Sequence, residues 1–211
     1  MSGSDTDVLH ALIGALEAPS VKADFVGRAL ERPFKPAGGR LRYAEFLLPV
    51  GTLFVAFDDA VLLSQVGGHG INFEGRILDM GYQPSRADAP AALRTAIDAL
   101  VEGGSRFDYP VDTGRLGKFQ RRVLDATRAI PRGQVRSYSA VAVQIGAPAA
   151  ARAVGTALAR NPVPILIPCH RVVRTDRVLG EYSGGGSEVK ARILRWEGID
   201  VRVQRAGFVI A

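Results

Sequence analysis

The chain has 211 residues, of which 47% are hydrophobic and one is a cysteine. This length suffices for one large domain or two small domains with a buried core. A single cysteine excludes disulfides within the chain and favours a reducing compartment, and the first residues lack the basic start of a secretory signal. No apolar run is long enough to span a bilayer, so the sequence predicts a soluble, cytoplasmic protein with no membrane partner.

The net charge of +6 is unevenly distributed along the chain. Residues 1–114 contain 10 Lys and Arg against 15 Asp and Glu, whereas residues 115–211 contain 17 against 6. The two parts therefore carry −5 and +11, which indicates two domains and a polyanionic partner for the second. Fifteen of the 17 basic residues are arginine, the side chain suited to forked phosphate contacts, although a solvated basic surface would give the same count.

The first part reads as an α+β domain over residues 1–112. An amphipathic helix is predicted over residues 7–16 and a loop over 32–39. Strand-like runs at 42–48, 52–57 and 60–66 are separated by short turns, which is typical of an antiparallel meander. A loop is predicted over 67–70, a helix over 88–101 with Asp88 as its cap, and a short extended piece over 107–111. Residues 112–114 are predicted to link the two domains.

The second part, residues 113–211, is predicted to be mainly helical. Helices are expected over 118–130, 139–145 and 148–160, and the last two are separated by Gly146 in the outline of a helix-turn-helix. The third helix is lined by alanine and glycine around Arg152. Small side chains let a helix backbone approach another surface closely, which suits both helix packing and a nucleic acid groove. Arg152, a long cation on a nearly bare face, favours the groove.

The only cysteine, Cys169, follows the apolar residues 165–167, which predict a buried strand that ends at Pro168. A lone cysteine beside His170 is a candidate nucleophile, and a small buried hydrophobe is the alternative. Beyond it lie an extended piece at 179–182 and a glycine run at 184–186. A helix over 189–196 ends at Glu197, and an extended tail is predicted over 201–210.

Several motifs resemble those of the O6-alkylguanine-DNA alkyltransferase family, and they occur in that family's order between residues 119 and 198. They are Ser137-Tyr138, Arg152-Ala153-Val154-Gly155, Asn161-Pro162, Ile167-Pro168-Cys169-His170-Arg171-Val172, Tyr182-Ser183-Gly184-Gly185 and Glu197-Gly198. The resemblance implies a small ribonuclease-H-like first domain and a second domain that binds DNA. It also implies one irreversible transfer per molecule of a methyl or larger alkyl group from O6 of guanine, or O4 of thymine, to the cysteine. A location near the nucleoid in a bacterium, or in the nucleus of a eukaryote, would follow.

The resemblance also implies a role for each matching residue. Cys169 would accept the alkyl group, His170 would act as base through a water, Glu197 would orient His170, Asn161 would brace the turn, and Tyr138 would hydrogen-bond the guanine ring. The substrate pocket would include Arg152, Ser183, Tyr182, Val172, Gly184 and Pro168. The DNA contacts would come from Arg152, Arg160, Ser137, Ala151 and Arg171, with Arg152 replacing a flipped alkylguanine from a helix in the minor groove of the duplex. The protein would act as a monomer without a cofactor.

The chain departs from the family pattern at two places. The segment from Tyr182 to Lys190 is one residue longer than usual, and the part that carries zinc ligands in some members has no cysteine here, so no metal is expected. Three other functions are consistent with parts of the pattern: a Cys-His-Glu hydrolase, a non-catalytic damage-recognition protein and a helix-turn-helix repressor. A hydrolase does not account for the basic second part, a damage-recognition relative lacks the cysteine, and a repressor needs polar side chains that read bases on its recognition helix.

Overall fold

The structure, a computed structural model, describes residues 38–205 and 207–211. These residues belong to one compact unit, residues 34–211. The predicted helix over 7–16 and most of the predicted loop over 32–39 lie outside the described residues.

The predicted antiparallel meander is confirmed. Its strands are β1 (Arg40–Leu48), β2 (Gly51–Phe57) and β3 (Val61–Val66). Strand β1 pairs with β2, and β2 pairs with β3, both antiparallel. A fourth strand, β4 (Gln83–Arg86), runs parallel to β1 at the opposite edge, which gives the order β3-β2-β1-β4.

The sequence pattern missed helix α1 (Gly70–Asp79), which begins at the end of the predicted 67–70 loop and leads to β4. Its start has no side-chain cap, since His69 occupies the N-cap position. Its two buried residues, Phe73 and Ile77, are one helical turn apart, too few to mark a stripe. They pack with residues of the sheet into a small core of Leu41, Tyr43, Phe54, Ala56, Leu63, Phe73 and Ile77.

The other face of the sheet packs on helix α2 (Ala91–Val101). The predicted cap Asp88 is wrong, because Pro90 occupies the N-cap position. Within residues 107–111, the predicted extended piece forms only an isolated bridge between Val61 and Val111. This side of the sheet shares one hydrophobic core with the second part of the chain, including Val55, Leu93, Leu124 and Cys169.

Three helices follow, close to the predicted ranges: α3 (Lys118–Arg128), α4 (Tyr138–Gln144) and α5 (Ala151–Ala159). Ser137 caps α4, because its hydroxyl accepts a hydrogen bond from the backbone N–H of Ala140 at 3.0 Å. The turn after α4 contains Gly146, whose φ of +68° is strained for other residues. Helices α4 and α5 are therefore joined by a short turn.

The remaining elements comprise the cysteine segment and the C-terminal part of the chain. A short 3₁₀ helix (Cys169–Arg171) leads into β6 (Val172–Val173), which pairs in parallel with β5 (Arg136–Ser137). Helix α6 (Gly186–Trp196) follows, and the predicted extended tail is a hairpin of β7 (Val201–Gln204) and β8 (Gly207–Ile210). Within the described ranges, no helix has the length and apolar character needed to cross a membrane.

Candidate functional site

The predicted buried strand over residues 165–167 is wrong, because these residues form a tight turn. Pro164 and Ile167 are bridged across it, and Ile165 adopts a φ of +73°. A β-branched residue in this left-handed region is a genuine outlier, which surrounding contacts must maintain. We call residues 161–168 the nucleophile turn, since Cys169 follows directly.

Asn161 braces the nucleophile turn from within. Its side-chain oxygen accepts from the backbone N–H of Val163 at 3.1 Å, and its Nδ2 donates to the carbonyl of Ile167 at 3.0 Å. The same Nδ2 lies 3.2 Å from Sγ of Cys169. Since Asn161 is itself buried, its amide links the shape of the turn to the position of the sulfur.

Cys169 is the first residue of the 3₁₀ helix and is only 5% exposed. Burial raises the pKa of its thiol above the ordinary value, and the Asn161 hydrogen bond and the charge of Lys190 partly oppose that shift. The resting sulfur at neutral pH is therefore mainly thiol, and a base must take its proton before it can act as a nucleophile.

His170 and Glu197 are brought together as the motifs imply. His170 Nε2 lies 3.0 Å from Glu197 Oε1, and both side chains are almost fully buried. Burial lowers the pKa of His170, so the ring is neutral at pH 7 and donates its Nε2–H to the carboxylate. Nδ1 then carries the lone pair, and it has no hydrogen-bond partner within the described part of the chain.

Arg171 is a buried residue, which does not fit its predicted DNA contact. It is 3% exposed, because its guanidinium pairs with Glu197 at 2.7 and 2.9 Å and donates to the carbonyl of Ile130 at 2.6 Å. Burial alone would raise the pKa of Glu197, but the bonds from His170 and Arg171 outweigh it and hold that pKa at about 2. The carboxylate is therefore ionised throughout the neutral range.

Sequence reasoning missed Lys190, which is 1% exposed. Its Nζ donates to the carbonyls of Val172 and Leu179 at 2.6 and 2.7 Å, and it lies 5.8 Å from the centre of the Tyr138 ring. Burial lowers the pKa of this amine to about 8. One signal could have found it: Lys190 lies three and seven residues before Ile193 and Glu197, on the buried face of α6.

An open groove of about 650 Å³ lies beside the site. Its lining includes Tyr138, Ala151, Arg152 and Gly155. Arg152 and Arg160 are exposed, as DNA contacts require, whereas the hydroxyl of Ser137 is engaged in capping α4. Burial, followed by the proximity of Cys169, raises the pKa of Tyr138, which keeps its hydroxyl protonated as a donor.

The glycine run closes over Tyr182. Tyr182 is buried, and within the described residues its hydroxyl has no hydrogen-bond partner. A Cβ on Gly184 would lie 2.5 Å from the Tyr182 ring, so this position requires glycine. Ser183 is exposed between them, while Pro168 and Val172 are buried on either side of the 3₁₀ helix.

The residues that the structure describes include no group of three or more His, Cys, Asp or Glu side chains able to hold a metal ion. The donors nearest the cysteine are the amide of Asn161 and the amine of Lys190, which suit an anion. The site therefore combines a buried thiol, a neutral imidazole fixed by a carboxylate, and fixed cations.

Comparison with known proteins gives consistent results. Residues 118–199 match the family described as 6-O-methylguanine DNA methyltransferase, DNA binding domain. The methylated-DNA–protein-cysteine methyltransferase of Mycolicibacterium paratuberculosis is 40% identical over 156 residues, which cover 71% of this chain and 87% of that protein. The protein of the same name from Salmonella typhimurium is 34% identical over 168 residues, with 75% and 96% covered.

Solved structures agree in fold. The crystal structure of Mycobacterium tuberculosis OGT in complex with DNA is 34% identical with a TM-score of 0.62, and the match covers 74% of this chain and 92% of that one. The O6-methylguanine-DNA methyltransferase of Pyrococcus kodakaraensis is 25% identical with a TM-score of 0.60, over 75% and 99%. The mixed α/β fold of this chain matches these structures.

Proposed function

The chain belongs to the 6-O-methylguanine DNA methyltransferase family and repairs DNA by direct transfer of an alkyl group to a cysteine, and we propose that Cys169 is that cysteine. The observation that carries the assignment is the set of contacts around its sulfur and its neighbour. Asn161 donates to Sγ, and the imidazole of His170 is held by Glu197 with its other nitrogen free to accept a proton.

The first step is deprotonation of a buried thiol. Nδ1 of His170 takes the proton through a bridging water, and the resulting imidazolium is stabilised by the ionised Glu197, whose pKa is about 2. Arg171 keeps that carboxylate charged and oriented. Asn161 and Lys190 stabilise the thiolate as it forms.

The second step is displacement at the alkyl carbon. A bond forms between Sγ and that carbon as the carbon–O6 bond breaks, and guanine departs as an anion that is then protonated. Donors placed at that charge lower the barrier, each by a few kcal/mol. We assign this role to the hydroxyl of Tyr138 and the backbone N–H of Ser183, with Tyr182, Gly184, Pro168 and Val172 shaping the pocket. The product is a thioether, so each molecule reacts once.

DNA binding is assigned to the pair α4 and α5, acting as a helix-turn-helix with α5 in the minor groove. Arg152 is exposed on α5 and Arg160 at its C-cap, and Ala151 and Gly155 allow close approach of the backbone. Because O6 points into the duplex, the alkylguanine must be flipped out, at a cost of a few kcal/mol, and Arg152 fills the space it leaves. O4-alkylthymine is a further candidate substrate.

Four finer assignments stay predictions. They are a ribonuclease-H-like first domain, the boundary at residues 112–113, a monomeric state and a location in the cytoplasm or, in a eukaryote, the nucleus.

One assay tests the function. The protein is incubated with a duplex containing one O6-methylguanine, and intact mass and repaired base are measured together. We expect one methyl adduct, mapped to Cys169, with one base repaired per protein molecule. The Cys169→Ala variant should bind the same duplex and form no adduct. Repair beyond one equivalent, or an adduct on another residue, would overturn the assignment.

A further inference from the structure

Strand β3 of the sheet makes direct contact with the nucleophile turn. The backbone N–H of Ser64 donates to the carbonyl of Pro162 at 2.9 Å, and its hydroxyl donates to the carbonyl of Pro164 at 2.7 Å. Ser64 has no solvent exposure. One residue of the first part of the chain therefore binds two carbonyls of the turn, about a hundred positions later in sequence.

These two carbonyls lie in the turn just before its strained residue. Ile165, with its φ of +73°, follows Pro164 directly. A β-branched residue leaves this conformation unless neighbouring contacts fix the chain on either side. Proline has no N–H of its own, so at Pro162 and Pro164 the carbonyl is the backbone group by which the turn can be held.

The restraint reaches the sulfur through Asn161. The Asn161 side chain accepts from Val163, between the two prolines, and donates to both Ile167 and Cys169 Sγ. If the turn shifts at Pro164, the Val163 N–H and the Ile167 carbonyl shift with it. Because these two groups orient the Asn161 amide, its bond to the thiol is then misaligned.

Strand β3 is in turn held by helix α1. Arg76 of α1 donates to the backbone carbonyl of Ser64 at 3.3 Å and to the side chain of Gln65 at 3.1 Å. Ser64 is thus fixed at its N–H, its carbonyl and its hydroxyl. Because Ser64 is held at three points, it can keep the Pro162 and Pro164 carbonyls in fixed positions.

We propose that Ser64 is a positioning residue for alkyl transfer: the sheet of the first part holds the nucleophile turn in its strained shape and, through Asn161, sets the Cys169 sulfur. The proposal rests on the proposed role of Cys169 and gives the acidic first part a function in the chemistry. Ser64 touches neither DNA nor substrate and acts only through the turn.

The test compares Ser64→Ala with a matched control, Thr127→Ala. Thr127 is equally buried, and its hydroxyl donates to the carbonyl of Val123 at the same 2.7 Å, but within helix α3. Each variant loses one buried hydroxyl donor, and Thr127→Ala also loses a methyl group, so a purely structural role predicts at least as large a loss of Tm in Thr127→Ala and similar activity in both. The readouts are the rate of methyl transfer at saturating duplex, the Kd for that duplex, and the pH dependence of Cys169 modification by iodoacetamide.

We expect Ser64→Ala to slow transfer about tenfold, since small misplacements of a reacting group cost rate steeply, while the Kd stays unchanged. The apparent thiol pKa should rise, because the Asn161 donor is misaligned. Thr127→Ala should keep the wild-type rate and pH profile, and Ser64→Thr, which retains the hydroxyl, should restore most of the rate that Ser64→Ala loses.

Equal rates for Ser64→Ala and the wild type, or equal losses in the two alanine variants, would overturn the proposal. If Ser64→Ala proves too unstable to assay, the same rate and pH measurements are made on Arg76→Gln, which removes the bond to the Ser64 carbonyl: slower transfer with a raised thiol pKa would support the proposal, and a wild-type rate and profile would overturn it. Failure of the proposed function is distinguishable, because the wild-type protein would then form no adduct on Cys169.

Discussion

Replacement of Glu197 by glutamine tests the buried pair of charges behind the nucleophile. Glu197 accepts from Arg171 at 2.7 and 2.9 Å and from His170 at 3.0 Å, and its pKa is lowered from 4.5 to about 2. A shift of that size corresponds to about 3 kcal/mol of folding free energy at neutral pH. Glutamine is nearly isosteric but neutral, so Glu197→Gln removes this contribution and leaves the Arg171 cation buried without its counter-charge.

The direction of the Glu197 pKa shift determines how the stabilisation depends on pH. Because the folded pKa lies below the unfolded one, the stabilisation is complete above pH 4.5 and is lost as the pH falls through about 2. Urea denaturation of both proteins should give a difference of about 3 kcal/mol near pH 7 and about half of that near pH 3. The control is Glu188→Gln, an exposed carboxylate in the first turn of the same helix, which should change stability little. A difference that does not vary with pH, or that Glu188→Gln reproduces, would refute the reasoning.

Three further predictions concern the groove, the buried amine and the glycine run. Arg152→Ala should slow repair of duplex DNA at least tenfold more than reaction with free O6-alkylguanine, measured as rate constants on both substrates; equal losses would exclude extrusion. For Lys190→Met, we compare the free energies of unfolding of the wild type and the variant as a function of pH. The wild-type value should rise relative to that of the variant by up to about 3 kcal/mol between pH 8 and pH 10.5, because the folded wild-type protein carries a buried cation only below about pH 8. Parallel stability curves would contradict this. Gly184→Ala should displace the Tyr182 ring and lower the transfer rate with little change in duplex Kd, because a Cβ would lie 2.5 Å from that ring; an unchanged rate would show that the loop moves freely.

Much of the fold could be predicted because local patterns and tertiary environment agree there. Strand β1 largely alternates buried and exposed residues, β2 and β3 consist mainly of buried apolar residues, and α3 and α5 carry one apolar stripe each. Helix α1 could not be predicted because its two buried side chains are too few to show a helical period and because no side chain caps its start. Its assignment depends on contacts with the sheet, which a local pattern does not contain.

Site residues could not be predicted from the sequence where their conformation or burial depends on a partner far away in the chain. An apolar run such as residues 165–167 suits a buried strand and a buried turn equally, and the turn is held by Ser64, far away in sequence. Arg171 seemed a surface cation because charged residues are rarely buried unless paired. Its partner, Glu197, lies 26 residues later, and this spacing does not indicate that the two residues form a pair.

The burial of Cys169 has a consequence for the lifetime of the unreacted protein. A molecule that reacts once is also lost once if a stray electrophile or oxidant reaches its sulfur first. At 5% exposure, and with the pKa of the thiol raised, the sulfur presents little surface and little thiolate to small reagents in the surrounding solution. The low reactivity of the resting thiol thus favours reaction with damaged DNA over reaction with small electrophiles and oxidants, even before any base is recognised.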